Sequence, residues 1–307
     1  MGRYVIRRLL QMIPVFIGTT LLIFIMVHAL GDPVNALFGD RAPDPATAAA
    51  LRQQYHLNDP LWRQYLLYMG GIFTGDFGTA FNGEPVTSLM GTAFPNTIKL
   101  TAVAFVLEMV VGILLGVVSG LRRGRSVDTL VLVLTLLVIS IPTFVTGYVL
   151  QYLLGVRWGV FDATAGNPPQ FQQLIMPGIV LASVSLAYVA RLTRTTIAEN
   201  SRADYVRTAI AKGLPGRRVT VNHLLRNSLI PVVTFLGTDL GALMGGALVT
   251  ERIFNIQGVG YQLYQGIARQ NSPTVVGFVT VLVVIFLVAN LIVDLLYAVL
   301  DPRIRYA

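Results

Sequence analysis

The chain has 307 residues, of which 54% are hydrophobic and only 12% charged, with a mean hydropathy of +0.66 and a net charge of +8. A soluble domain carries about 25% charge, and here the apolar residues fall in runs of roughly 20, the length that crosses a bilayer; a soluble globular fold is excluded and an all-α membrane protein is expected. There are no cysteines, which excludes disulfides and thiolate chemistry, and the three histidines (His28, His56, His223) have no ligand-like spacing.

Six apolar segments are predicted to span, at about 9–30, 100–121, 129–154, 174–190, 229–250 and 275–299. The first follows Arg7 and Arg8 as a secretion signal would. Its apolar run is longer than a signal core, however, and 30-LGDPV-34 offers no cleavage site, so it is read as a retained helix. The outer loop 31–99 contains two predicted helix starts, Asp44-Pro45 and Asp59-Pro60, each read as an N-cap followed by proline. The aromatic segment 60-PLWRQYLLYMGGIF-73 either lies along the membrane interface or packs against the spans. Within the third span, Pro142 in 140-SIPTF-144 predicts a kink that would serve as a hinge or gate.

Charge sets the orientation. Sixteen of the 23 Arg and Lys fall at the N-terminus, in the 122–126 loop, in the 191–228 loop and in the C-terminal tail. The other seven (Arg41, Arg52, Arg63, Lys99, Arg157, Arg252, Arg269) lie on the opposite side. By the positive-inside rule both termini and the 191–228 loop are expected in the cytoplasm. The positive charge thus belongs to membrane topology and not to a nucleic-acid partner. No linker or clear repeat divides the chain, and 1–307 is read as a single domain.

The 191–228 loop reads as a helix, a glycine turn and a second helix. Asp204 is placed as the cap of a helix running to Lys212, Gly213 as a left-handed C-cap, Pro215 as the stop, and 217–227 as the second helix. Arg207, Lys212, Arg217 and Arg218 make this knob positive; Ala209, Ile210, Leu214 and Val219 are expected to give it an apolar side for a partner's groove. A basic loop resting on lipid head groups is the plainer alternative.

Three carboxylates, Glu108, Asp239 and Asp294, fall within spans, where an ionised group is costly. Asp239, among the small residues of 235-FLGTDLGALMGG-246, is read as lying near a translocation path or in a helix contact; Glu108 as a relay or helix contact; Asp294 as half of a structural pair. After the fifth span, 251-ERIFNIQGVGYQLYQG-266 is expected to form an outer gate or a structural loop, with Ile256 in it and with Gly258 and Gly260 allowing a tight turn. No phosphate-binding GxxxxGK[ST] loop occurs, the two lysines being Lys99 and Lys212.

The tract 205-YVRTAIAKG-213, with Pro231 eighteen residues after Gly213, resembles the EAA loop of ABC importer permeases in the dipeptide/oligopeptide/nickel branch. The first two letters of E-A-A are replaced by Arg207 and Thr208, while Ala209 and Gly213 remain. Further segments resemble the same family along nearly the whole chain: 4-YVIRRLLQMIPVFIGTTLLIF-24, 57-LNDPLWRQYL-66, 75-GDFGTAF-81, 95-PNTIKLT-101, 140-SIPTF-144, 251-ERIFNIQGVG-260 and 294-DLLYAVLDPRIRY-306. The resemblance implies a type I importer permease fold with six helices in a bacterial plasma (inner) membrane. It implies a heterodimer with a second permease, one or two ABC ATPase subunits that hold ATP and Mg, and an extracellular or periplasmic substrate-binding protein. The coupling residues would be Asp204, Tyr205, Arg207, Ala209, Lys212, Gly213, Leu214, Arg217 and Arg218, with Pro142, Asp239, Ile256, Gly258 and Gly260 at the path or gate. Di- or oligopeptides are the expected cargo, with nickel chelates or haem as the alternative within the family. An ion-gradient carrier using the three carboxylates is the alternative outside it, and the chain has neither the ten or more spans nor the repeats common there. No catalytic constellation is found, and the chain is read as a transport subunit with no ATPase site of its own.

Overall fold

The structure, a computed structural model, describes the backbone of residues 2–29, 34 and 44–300; the side chains of 2–4, 294 and 296–300 fall outside it. The pair expected for Asp294, the tail arginines and the 31–33 and 35–43 parts of the outer loop therefore lie outside the described residues. Everything described is helix or connection, apart from one isolated bridge between Thr79 and Pro85.

Five helical stretches are long and apolar enough to span: Val5–Ala29, Val86–Leu121, Phe171–Asn200, Ile230–Ile253 and Ser272–Val293. They belong to α1 (Gly2–Ala29), to α4 (Val86–Leu107) continuing through a wide turn (Glu108–Gly112) into α5 (Ile113–Leu121), and to α8 (Phe171–Asn200), α12 (Ile230–Ile253) and α14 (Ser272–Leu300). The second span begins fourteen residues before the expected 100, at Val86. Hydropathy missed this first part because Thr87, Ser88, Asn96 and Lys99 interrupt the apolar run, although the helix continues through them.

The third span is not kinked but broken. α6 (Ser126–Ser140) and α7 (Thr143–Leu150), with its wide final turns Gln151–Arg157, meet at 100°. Pro142 has no N–H to give, and its ring drives Ile141 into extended backbone (φ −97°, ψ 126°), so the helix stops and restarts. The two pieces still run from one end of the molecule to the other. At one end Asp128 lies beside Ser119 and Arg194; at the other the Gln151 amide donates to the carbonyls of Ala163 and Ile253, both at 2.8 Å. Alternate loops thus collect at opposite ends, as six crossings require.

Glycines set the closest helix pair. Gly112, Gly116 and Gly120 repeat every four residues and turn one ridge towards α8, where an added Cβ would strike Val189, Thr193 and Ile197 respectively. This ridge lets the backbones of α5 and α8 approach closely.

At the end holding the 31–99 loop, α2 (Pro45–Gln54) starts as expected, Asp44 accepting from the Thr47 amide at 3.1 Å. The second expected cap is not formed: Pro60 itself occupies the cap position of α3 (Leu61–Thr74), and Asp59 instead meets Arg63 and His56. α3 packs against the spans with one side of its aromatic segment. Tyr65 bonds Thr20 of α1, and Tyr68 donates to Thr280 of α14 at 2.6 Å, while Trp62 and Phe73 stay exposed. Burial pushes the Tyr68 phenol up to about 12, so it remains a donor across the physiological range.

Candidate functional site

The basic insert folds as α9 (Asp204–Ala211), α10 (Gly216–Arg218), wide turns at Val219–Leu225 and α11 (Arg226–Ser228). Ala203, not Asp204, occupies the N-cap; Asp204 is the first helical residue, where its charge favours the helix start, and it lies 3.7 Å from Arg207 with both side chains in solvent. The C-terminus is a full Schellman closure. The Gly213 amide donates to Ile210 at 2.9 Å and the Leu214 amide to Ala209 at 3.3 Å, with Gly213 at φ +73°. Pro215 then caps the next helix.

Periodicity decides which face is free. Val206 and Ala209 turn inward and pack with Ile197, Val219 and Leu224, and Leu214 half-buries against the same cluster. The apolar side expected for a partner is therefore mostly spent on the chain's own core: Ala209 and Val219 are buried, and Ile210, at 61% exposure, is the apolar residue left outside. The outward face is Arg207, Thr208, Ile210, Lys212 and Gly213, with Arg217 and Arg218 beside it. The knob is held to its stem by polar bonds as well. The Tyr205 hydroxyl bonds Asn200 at 2.9 Å, Asn200 bonds Ser228 at 3.1 Å, and Ser228 donates to the Thr196 carbonyl at 3.3 Å.

Just above this stem, Asp128 at the start of α6 accepts two bonds from the guanidinium of Arg194 in α8, at 2.6 and 2.8 Å. Ser119 and the Gly124 amide complete its shell. Asp128 is buried and Arg194 largely so. The bidentate geometry makes this a rigid strut from the knob's stem to the broken span.

At the opposite end the 251–260 segment is locked by Glu251. This wholly buried carboxylate accepts from the Thr97 hydroxyl and from the amide of Tyr261, which opens α13 (Val259–Ala268). Thr97 in turn accepts from the Val259 amide, and Asn96 and Asn167 both bond Gln257. Gly258 and Gly260 serve contact more than turning. A Cβ on Gly258 would enter the Glu251 carboxylate and one on Gly260 the Leu248 backbone, and neither has a positive φ. Ile256 is fully buried in the core with Phe254.

Between the two ends, the restart of the broken span lines a cavity of about 390 Å³ with α8 and α12; Thr143, Phe144, Ser185 and Asp239 contribute to its wall. Asp239 also faces Glu108, which stands in the wide turn after α4. Sequence reasoning named both carboxylates but had no means of pairing them, and it did not single out Glu251, Asp128 or Arg194. Their only signal was an acidic or basic residue near a span end.

Residues 112–306 match the family described as "Binding-protein-dependent transport system inner membrane component", and residues 1–108 match "Binding-prot-dependent transport system membrane comp, N-term". The chain is 36% identical over 337 residues to the dipeptide transport system permease protein DppB of Escherichia coli (strain K12), covering 100% of this chain and 99% of that one. It is 35% identical over 331 residues to the di/tripeptide transport system permease protein DppB of Pseudomonas aeruginosa (99% and 98%), and 35% over 322 residues to the oligopeptide transport system permease protein AppB of Bacillus subtilis (100% of each).

Proposed function

The chain belongs to the family of binding-protein-dependent transport system inner membrane components, and from that premise we propose that it is one half of a heterodimeric permease that passes di- or oligopeptides into the cell. It is a multi-pass inner-membrane subunit; its cargo arrives from an external substrate-binding protein, and its energy comes from ABC ATPase subunits that bind ATP and Mg. Both termini and the α9 knob face the cytoplasm, in keeping with the arginine distribution.

The observation that carries this reading is the knob itself. A helix closed by a left-handed glycine, anchored from beneath by an apolar cluster, presents a cationic outer face with one exposed isoleucine. Such a body moves as a unit when a partner pushes on it. Force on α9 passes through Val206, Ala209 and the Tyr205–Asn200–Ser228 bonds to the end of α8. The Asp128–Arg194 strut passes it on to α6, and the break at Ile141–Pro142 is where α6 can swing relative to α7. The wall of the central cavity lies just beyond that break. At the outer end, the Glu251 lock holds the 251–260 segment as a stiff surface on which a binding protein can rest.

The test is purification of the chain from its native host in detergent, with identification of co-purifying proteins and reconstitution for uptake of a labelled dipeptide. Recovery of a second permease and ABC ATPases, with ATP-dependent uptake, is expected. Recovery of the chain alone as a transport-competent species would refute the reading.

A further inference from the structure

At the outer end, α13, the start of α14 and the turn at 80–82 enclose a cavity of about 270 Å³. Its polar wall is Asn82, Gln262, Gln265, Arg269, Asn271 and Thr274, and no carboxylate among the described residues lines it. Gly266 makes this convergence possible. A Cβ there would lie 2.9 Å from the Val275 side chain and 3.5 Å from the Thr274 methyl, so the end of α13, where Arg269 follows, sits directly against the first turn of α14.

Two side-chain oxygens in this wall have no partner. Thr274 is only 3% exposed, and its hydroxyl makes no hydrogen bond among the described residues. Asn271 stands immediately before α14, and its carbonyl takes the Val275 amide at 3.1 Å. A side chain in that place ordinarily caps the helix. The Asn271 side-chain oxygen caps nothing and is buried without a donor among the described residues. A buried polar atom left unpaired is costly, and two of them in the wall of one cavity mark a place that a ligand completes. Donors stand around them. Arg269 has no acidic partner among the described residues. Asn82 spends its oxygen on the Glu84 amide at 3.2 Å, which leaves its NH2 group to donate. Gln265, by contrast, already turns its NH2 group to the Tyr261 hydroxyl at 3.3 Å.

We propose that this cavity is a site for a carboxylate carried on a peptide unit. The carboxylate accepts from the Arg269 guanidinium, the Thr274 hydroxyl and the Asn82 side-chain amide, and the N–H beside it donates to the Asn271 side-chain oxygen. The volume lies below that of most small-molecule sites, so it admits one residue and not a whole dipeptide. The chemistry rests on these residues alone. Its use rests on the peptide-import reading, which supplies two sources of such a group: the free C-terminus of an incoming peptide and an acidic residue of the binding protein.

The chain has no cysteine, so Leu89→Cys, or Gln265→Cys if the first variant does not assemble, places one thiol of this chain on the cavity wall of the assembled transporter in detergent. Its reaction is followed by mass spectrometry with two thiosulfonate reagents of similar size, one anionic (sulfonatoethyl) and one cationic (trimethylammonioethyl), each rate taken relative to free cysteine. The anionic reagent should be favoured about fivefold, and Arg269→Gln should remove the preference. Millimolar N-acetyl-dialanine should protect the thiol while its C-terminal amide does not, and Thr274→Val should weaken that protection about tenfold. Valine keeps the shape of threonine, so a role confined to packing leaves protection unchanged in that variant. Absence of the charge preference, equal protection by acid and amide, or protection that ignores Thr274→Val overturns the inference. Once protection is seen, unblocked dialanine protecting without the binding protein assigns the carboxylate to the cargo. Peptide-free binding protein protecting in a way that Arg269→Gln abolishes assigns it to that protein, and protection by neither overturns the site's use in import. A wild-type complex that takes up no labelled dipeptide refutes the import reading and leaves the carboxylate site standing, so the two failures are told apart.

Discussion

Replacing Gly213 with valine changes one backbone angle and little else. A Cβ built on Gly213 meets nothing within 4 Å, so no clash contributes. The whole effect comes from φ +73°, where a β-branched residue costs about 2 kcal/mol, or about thirtyfold in the population of the closed turn. That turn holds the Gly213–Ile210 and Leu214–Ala209 bonds, which fix how α9 stands relative to α10. Weakening it should leave insertion and ATPase co-purification intact while lowering peptide taken up per ATP hydrolysed. The substitutions should rank by their tolerance of left-handed backbone: Gly213→Asn nearest to wild type, Gly213→Ala next, Gly213→Val worst. The assay is paired measurement of uptake and hydrolysis in proteoliposomes. A wild-type ratio in Gly213→Val would refute the turn's role in coupling, and a loss equal in all three variants would show that flexibility, not handedness, matters there.

Arg194→Ala leaves the buried Asp128 carboxylate without its partner and should cost about 3 kcal/mol, read as a lower thermal midpoint of the purified complex; Asp128→Asn in the same chain should recover part of it. Gly116→Leu drives a side chain into Thr193 and the Ala190 carbonyl, so the protein should fail to accumulate in membranes by immunoblot, whereas the same change at Gly18, which has open space around it, should be tolerated. Glu251→Ala strips the Thr97 hydroxyl and the Tyr261 amide of their acceptor and should cost about 1–3 kcal/mol, seen as faster proteolysis within 251–260. Reversing charge with Arg217→Glu should weaken ATPase co-purification; equal recovery at low and high salt would count against docking by the cationic face.

Much of the knob is legible in the order of its residues. Gly213 followed by Pro215 specifies a left-handed helix end and a stop, because few other residues suit that pair of backbone states. The face it offers is not legible in the same way: Ala209 and Val219 have the character of docking residues, and only the position of Ile197 and Leu224 beneath them makes them core. Pro142 announces a disturbance in the third span, but proline's missing donor sets where a helix stops and not the 100° between the pieces, which depends on what each piece packs against. Gly258 and Gly260 invite a turn and instead make room for Glu251 and Leu248.

Hydropathy acts segment by segment along the chain, so the membrane class and most of each span follow from residue order. Packing in three dimensions was needed to pair Asp128 with Arg194 across 66 positions, Thr97 with Glu251 across 154, and Glu108 with Asp239. Inside an apolar bundle a polar side chain has no water to turn to, so its meaning is set by whichever group the packing of distant helices places against it.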